Sequence, residues 1–271
     1  MDGSPDIDRR MLVALLVGIF VAALVVALIS RDPSDDAAAS VGASAVSESS
    51  AAPTPAVETA AATGVDHHDA NADQQAESLP NEPLDDATRE QVASQLVAAR
   101  EVALRYPTVA DAEAAGYVLA GGFAPLVGAH YVGIANAAGN AFDAAKPPTL
   151  IYDGTSPTSR VTGLMYLAGS GDADAPDGFA GPNDHWHRHS GVCVKFTSAK
   201  MEIPFPADRD ITKKMCDGKE GMFIDRTQWM VHAWVVPGWD SPDGVFSHDH
   251  ADLHCADGTD DTDAAGFCQG T

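Results

Sequence analysis

The chain of 271 residues carries 39 acidic against 16 basic side chains, a formal charge of -23. A surface with that excess repels nucleic acid phosphates and anionic lipid head groups, which excludes nucleic-acid binding as a role. Large apolar residues are sparse over residues 31–83, so a packed core is expected only in the part that follows.

In chain order, residues 1–10 form a short segment carrying Arg9 and Arg10. Residues 11–30 (MLVALLVGIFVAALVVALIS) are twenty residues without a charge. A membrane-spanning helix needs roughly 20. The apolar core of a cleaved signal peptide is shorter, about 7 to 15 residues, so an uncleaved signal-anchor is expected. Ala43-Ser44-Ala45 leaves cleavage as the alternative. Arg9 and Arg10, set against a lone Arg31 followed by Asp32, Asp35 and Asp36, place the N-terminus in the cytoplasm and the rest outside. The expectation is a single-pass protein of the cell membrane. Residues 31–83 are Ala, Ser, Thr, Pro and acidic residues, which cannot bury enough surface to offset chain entropy, and a disordered stalk is predicted. His67 and His68 belong to that solvated stalk.

Residues 84–271 are the expected extracytoplasmic globular domain. A helix is predicted over 85–106, where Val92, Leu96, Ala99, Ala103 and Tyr106 recur at three- and four-residue spacing before Pro107 stops it. A helical turn follows, with Thr108 as N-cap, Asp111 near its positive end and Gly116 closing it. Beyond Gly116 short β-like runs alternate with Gly, Pro, Asn and Asp, and strands are predicted over 117–120, 130–134, 150–152, 161–167, 185–196 and 229–236. A brief helix is expected over 208–215. The fold class is α+β, a mostly antiparallel β-sheet domain with N-terminal helices, preceded by the transmembrane helix and stalk.

All four cysteines, Cys193, Cys216, Cys255 and Cys268, lie in this domain, and an even number outside the cytoplasm points to disulfides. Pairing Cys193 with Cys216 and Cys255 with Cys268 is the simplest connectivity, and the other two pairings stay open.

The histidines carry the chemistry. In the run His185, Trp186, His187, Arg188, His189 an extended backbone sends the three imidazoles to one face, as a metal site would require. His232 lies in WMVHAWVV, where Met230, His232, Trp234 and Val236 share a strand face. A lone histidine there is most often a core residue, but a neighbouring HWHRH strand would bring His187, His189 and His232 together. Two or three imidazoles with an open position suit zinc, copper or non-haem iron. The ligand candidates are therefore His187, His189 and His232, with His130 and His185 beside them. A third run, SHDHADLHC, holds His248, His250 and His254 with Asp249 and Asp252, and forms a possible second cluster or the remaining ligands of the first. Acidic loops around Asp172, Asp174 and Asp177, and around Asp257, Asp260, Asp261 and Asp263, do not reproduce the alternating ligands of a calcium loop and read as solvated turns. No GxSxG, Walker or dinucleotide motif is present, and HExxH is absent.

The order of Gly-x-His-Tyr at 128–131, PTLIYD at 148–153, WHRHSGVC at 186–193, His232-Ala-Trp234 and Pro242-Asp-Gly-Val-Phe246 resembles an uncharacterised family of secreted or periplasmic bacterial proteins. The similarity spans roughly residues 106–255. It implies an exported domain and points to His130, His187, His189 and His232, without an assigned activity. The anchor, the stalk, His185 and the histidine-rich end around His248 depart from that pattern. A fainter similarity is to cupins, β-barrels that hold metal through HxH and a later histidine. His185-Trp-His187 resembles the first part, and Pro242-Asp-Gly244 ahead of His248 the second. The glutamate expected after HxH is missing, Gly191 and Val192 standing in its place, and Gly244 to His248 is one residue too long.

Three functions are compatible with these residues. The first is a membrane-anchored extracytoplasmic protein that sequesters, delivers or senses copper or zinc. The second is a cupin-like metal-dependent oxidase or dioxygenase acting on a small exported substrate. The third is a metal-free structural or interaction domain. Nothing in the sequence names a protein partner.

Overall fold

The computed structural model describes residues 81–137, 141–169, 174–197, 200–206, 209 and 211–269. The expected anchor at 11–30, the stalk up to residue 80 with His67 and His68, and the alternative cleavage site lie outside the described residues. Among the described residues no helix is long and apolar enough to cross a membrane.

Helix α1 covers Asp86–Ala103, capped by Asp85, whose side chain accepts from the Thr88 amide. It buries Ala99, Val102 and Ala103, small residues that let its backbone lie close to the sheet. It ends at Leu104 rather than Tyr106. Helix α2, Val109–Ala114, starts in a capping box in which Thr108 and Asp111 bond each other's backbone amides. Gly116 then turns the chain at a φ of 89°.

Among the described residues eight strands follow: β1 Val118–Ala124, β2 Gly128–Val132, β3 Thr149–Tyr152, β4 Val161–Ala168, β5 Ser190–Phe196, β6 Met201–Glu202, β7 Met222–Arg226 and β8 Trp229–Ala233. Two short helices lie between them, α3 Ile134–Ala137 and α4 Lys213–Asp217. The spatial order is β7-β5-β6-β1-β2-β3-β4-β8. Every pairing is antiparallel except β1 with β6. The result is a mixed, mostly antiparallel sheet with few helices, matching the α+β class at that level.

Several predicted boundaries differ. The run expected to be one strand over 185–196 begins its strand only at Ser190. Before it, His187 makes an isolated antiparallel bridge to Met230. The strand expected over 130–134 starts earlier, at Gly128, and stops at Val132, because Ile134 opens α3. The strand expected over 229–236 ends at Ala233. The brief helix expected over 208–215 is α4, which starts after its N-cap Thr212, and Asp208 lies outside the described residues. Strands β6 and β7 carry no sequence signal of the expected kind. β6 is two residues long and β7 is half-exposed or exposed throughout.

The sheet is curled. Adjacent strands lie about 4.8 Å apart, so on a flat sheet side chains three strands apart would stay about 14 Å from each other. Yet His130 on β2 and His232 on β8, separated by β3 and β4, bring their Nε2 atoms to 3.4 Å. The His187–Met230 bridge adds a join on the far side of β8, since the same chain runs on into β5. One face of the sheet is therefore turned inward around the histidines. The other carries the apolar core, with Tyr131, Leu150, Tyr152, Leu164, Tyr166 and Val231 fully buried. Each such side chain contributes about 1.5–3 kcal/mol relative to exposure.

Two glycines permit this packing. Gly163 on β4 lies under the indole of Trp234, where a Cβ would come within 2.7 Å of the ring. Gly121, at a φ of 72°, sits in the irregularity of β1 directly beneath the Phe267 ring.

Both disulfides join the nearer partners in sequence. Cys193 of β5 bonds Cys216 of α4, and Cys255 bonds Cys268, each with a Cα–Cα distance of 5.5 Å. There is no free cysteine among the described residues.

Candidate metal centre

The centre assembles from three parts of the chain. The first is the short segment before β5. The His187 amide donates to the Met230 carbonyl at 2.9 Å, and the Met230 amide donates to the His187 carbonyl at 2.7 Å, which clamps this residue against β8. Two residues on, the His189 amide donates to the Thr227 hydroxyl at 2.9 Å, and its carbonyl accepts from the Thr227 amide at 2.9 Å. The intervening Arg188 lays its guanidinium 4.5 Å from the centre of the Trp229 ring, away from the imidazoles. Trp186 packs edge-on against Phe142. The alternation expected of an extended run therefore holds for His187 and His189, whose ring centres are 5.6 Å apart.

His185 does not follow them. Its Nε2 lies 3.1 Å from Oδ1 of Asn81, and the residue falls outside the group of converging ligands. The expectation that all three histidines of the run share one face is corrected here. The chain is not yet in the sheet at residue 185, so no ladder enforces its alternation.

The second part is the loop after β8, folded back onto that strand by several bonds. The Trp234 indole donates to the Ser247 carbonyl at 2.8 Å, and the Ser247 hydroxyl donates to the Asp249 carbonyl at 2.6 Å. This places His248 against His187, with ring centres 4.4 Å apart. His187, His189 and His248 each offer one nitrogen, and the three ligand atoms lie within 4.8 Å of one another. His187 is buried, and His189 and His248 are half-buried.

The third part is the inward sheet face. His232 stands 5.5 Å from His187 and 5.5 Å from His248, ring centre to ring centre, and His130 reaches it from β2. Burial among other imidazoles disfavours their charged forms. It holds His130 down at about 4, with smaller opposition from a hydrogen bond to the Gly128 backbone. His232 is held well below the usual histidine range, chiefly by burial and then by His248 and His130. Neutral imidazoles are the form that binds metal.

Outer contacts choose the ligating nitrogen. The Nδ1 of His232 donates to the His248 carbonyl at 2.6 Å, which leaves Nε2 with its lone pair. The Nδ1 of His248 is 2.6 Å from Oδ1 of Asp249, a carboxylate–imidazole pair of the kind that orients metal ligands.

The run of His248, His250 and His254 thus does not stay together. His250 is fully buried between Trp234 and Trp239, with ring centres 5.0 and 5.5 Å away. His254 is on the surface, its Nδ1 2.8 Å from Asp260, and that carboxylate raises it above the usual histidine range. In the sequence His248 stands with these two, as a second cluster or as remaining ligands of the first, and Asp249 has no assigned role; the structure brings His248 alone to His187 and His189. The spacing of sixteen residues between His232 and His248 carries no periodic signal that would join them. The acidic loop at 257–263 bonds its own backbone, Asp257 accepting from the Thr259 amide at 3.0 Å.

Such a centre can hold a transition metal through neutral nitrogen donors. Three protein ligands at one position leave a further coordination site open. No known family, curated protein or solved structure matches the chain.

Proposed function

We propose that this chain is a membrane-anchored extracytoplasmic protein that binds copper or zinc through clustered histidines and sequesters, delivers or senses it. The observation that carries the metal reading is the convergence of His187, His189 and His248, with ligand atoms within 4.8 Å. An all-imidazole donor set suits zinc and copper, whereas non-haem iron commonly takes a carboxylate as well. The two disulfides support an oxidising compartment. The anchor and its orientation rest on the apolar run at 11–30 and on Arg9 and Arg10.

One observation favours a second reading, a metal-dependent oxidase or dioxygenase working on a small exported substrate. Three ligands leave room on the ion for a substrate or oxygen, as catalytic sites do.

The test is elemental analysis of the purified full-length chain beside His187→Ala/His189→Ala and, as a control, His185→Ala. Bound metal in the parent, unchanged in the His185 variant and lower by one ion per chain in the double variant, is the expected result. Parent protein that cannot be loaded with zinc, copper or iron would rule out both readings.

A further inference from the structure

We propose that His130 and His232 hold a second metal ion beside the one at His187, His189 and His248, so that the curled sheet encloses a two-ion centre. This rests on the metal reading above and adds a position to it. With metal–nitrogen bonds of about 2.0–2.1 Å, two ligands of a tetrahedral ion lie about 3.3 Å apart, and no two ligands of one ion exceed about 4.2 Å. The Nε2 atoms of His130 and His232 are 3.4 Å apart, at the first of these separations.

The tautomers agree with that geometry. His232 spends its one N–H on the His248 carbonyl, so its Nε2 presents a lone pair to His130. An Nε2–H on His130 donates to that lone pair at 3.4 Å, and a metal ion bound there takes the place of this proton between the two nitrogens.

The position is separate from the first. The group of nitrogens within 4.8 Å contains His187, His189 and His248 and neither of the other two. It is also adjacent, because His232 stands 5.5 Å from both His187 and His248. A single ion cannot reach all five imidazoles in this arrangement, whereas two neighbouring ions use every one.

The surroundings indicate which ion. Across the ladder His130 is paired with Ile151 and His232 with Met165, apolar neighbours that supply no compensating charge. A buried charge is costly without such compensation. Copper(I) carries a single charge and accepts three-coordinate sites, in which two nitrogens about 2.0 Å from the ion lie about 3.5 Å apart, close to the 3.4 Å separation here.

The experiment is anaerobic loading of the full-length chain with copper(I) against a competing copper(I) chelator, which strips weakly held copper from the acidic surface. The expected result is two copper ions per parent chain, one in His130→Ala, and one in His187→Ala/His189→Ala. X-ray absorption of the doubly loaded parent needs no variant and should show a copper–copper vector. Saturation at one copper, unchanged in His130→Ala and lost in the double variant, would overturn the second position and leave the first standing. Two coppers in the parent and still two in His130→Ala would also overturn it. No retained copper in any chain would remove both.

Discussion

The Nδ1 of His248 lies 2.6 Å from Oδ1 of Asp249, so one loop residue is held by the carboxylate of the next. The pair fixes the imidazole's tautomer and would raise the ring's strength as a donor to a bound metal. Asp249→Ala removes the carboxylate and keeps the backbone carbonyl that Ser247 uses. The expected effect is metal affinity weaker by about 10–100-fold. Competition titration with a zinc chelator measures it. An unchanged affinity would mean that His248 is oriented by the loop alone.

The metal-free protein should be acid-sensitive over a defined window. His130 and His232 titrate lower in the folded chain than in the unfolded one, His130 at about 4. Above about pH 6.5 both states are neutral and the groups contribute no pH dependence. As pH falls from there toward 4 the unfolded chain takes up protons first, and stability declines. Melting temperature across pH 7 to 4 should fall more steeply for the parent than for His130→Gln. Parallel curves would show that His130 is not the group responsible.

Asp184 has the opposite displacement. Burial pushes its carboxyl up to about 7, against the hydrogen bond it accepts from the Trp186 indole at 2.8 Å. Its folded-state value exceeds its unfolded one, so its contribution is fully present below about pH 4 and is lost as pH rises through 7. Asp184→Asn keeps an acceptor for the indole and removes the charge. The variant should match the parent in urea denaturation at low pH and exceed it at pH 8. A variant weaker than the parent at pH 8 would mean that the ionised carboxylate is needed.

The Cys193–Cys216 bond spans a sequence separation of 23 residues and ties β5 to α4. Replacing both cysteines by serine should lower stability by about 2–4 kcal/mol, through the freedom returned to the unfolded chain. Chemical denaturation of the variant and of the parent, both under non-reducing conditions, reads this directly. A much smaller loss would mean that α4 is held by packing of Ile211 and Phe223 around it.

Local chemistry makes the elements legible along the chain. Asp85 and Thr108 mark helix starts because a short polar side chain satisfies free amides there, and near-continuous apolar runs mark β4 and β8 because both faces of these strands are buried. The residue types make metal ligation available, since the imidazoles at 185, 187, 189, 232 and 248 are all nitrogen donors. Which of them meet at one position is not legible. His130 and His232 are 102 residues apart in sequence and three strands apart in the sheet, and only its curl brings them to 3.4 Å. His185 and His250 look as apt as their neighbours in the sequence. Residue 185 precedes the sheet and turns to Asn81, while His250 is enclosed by two indoles. The sequence by itself determined which donors were available and where helices and strands begin. Tertiary structure alone decided which donors meet, because that depends on sheet curvature and on the loop carrying His248 folding back over β8, neither of which leaves a periodic trace in the chain.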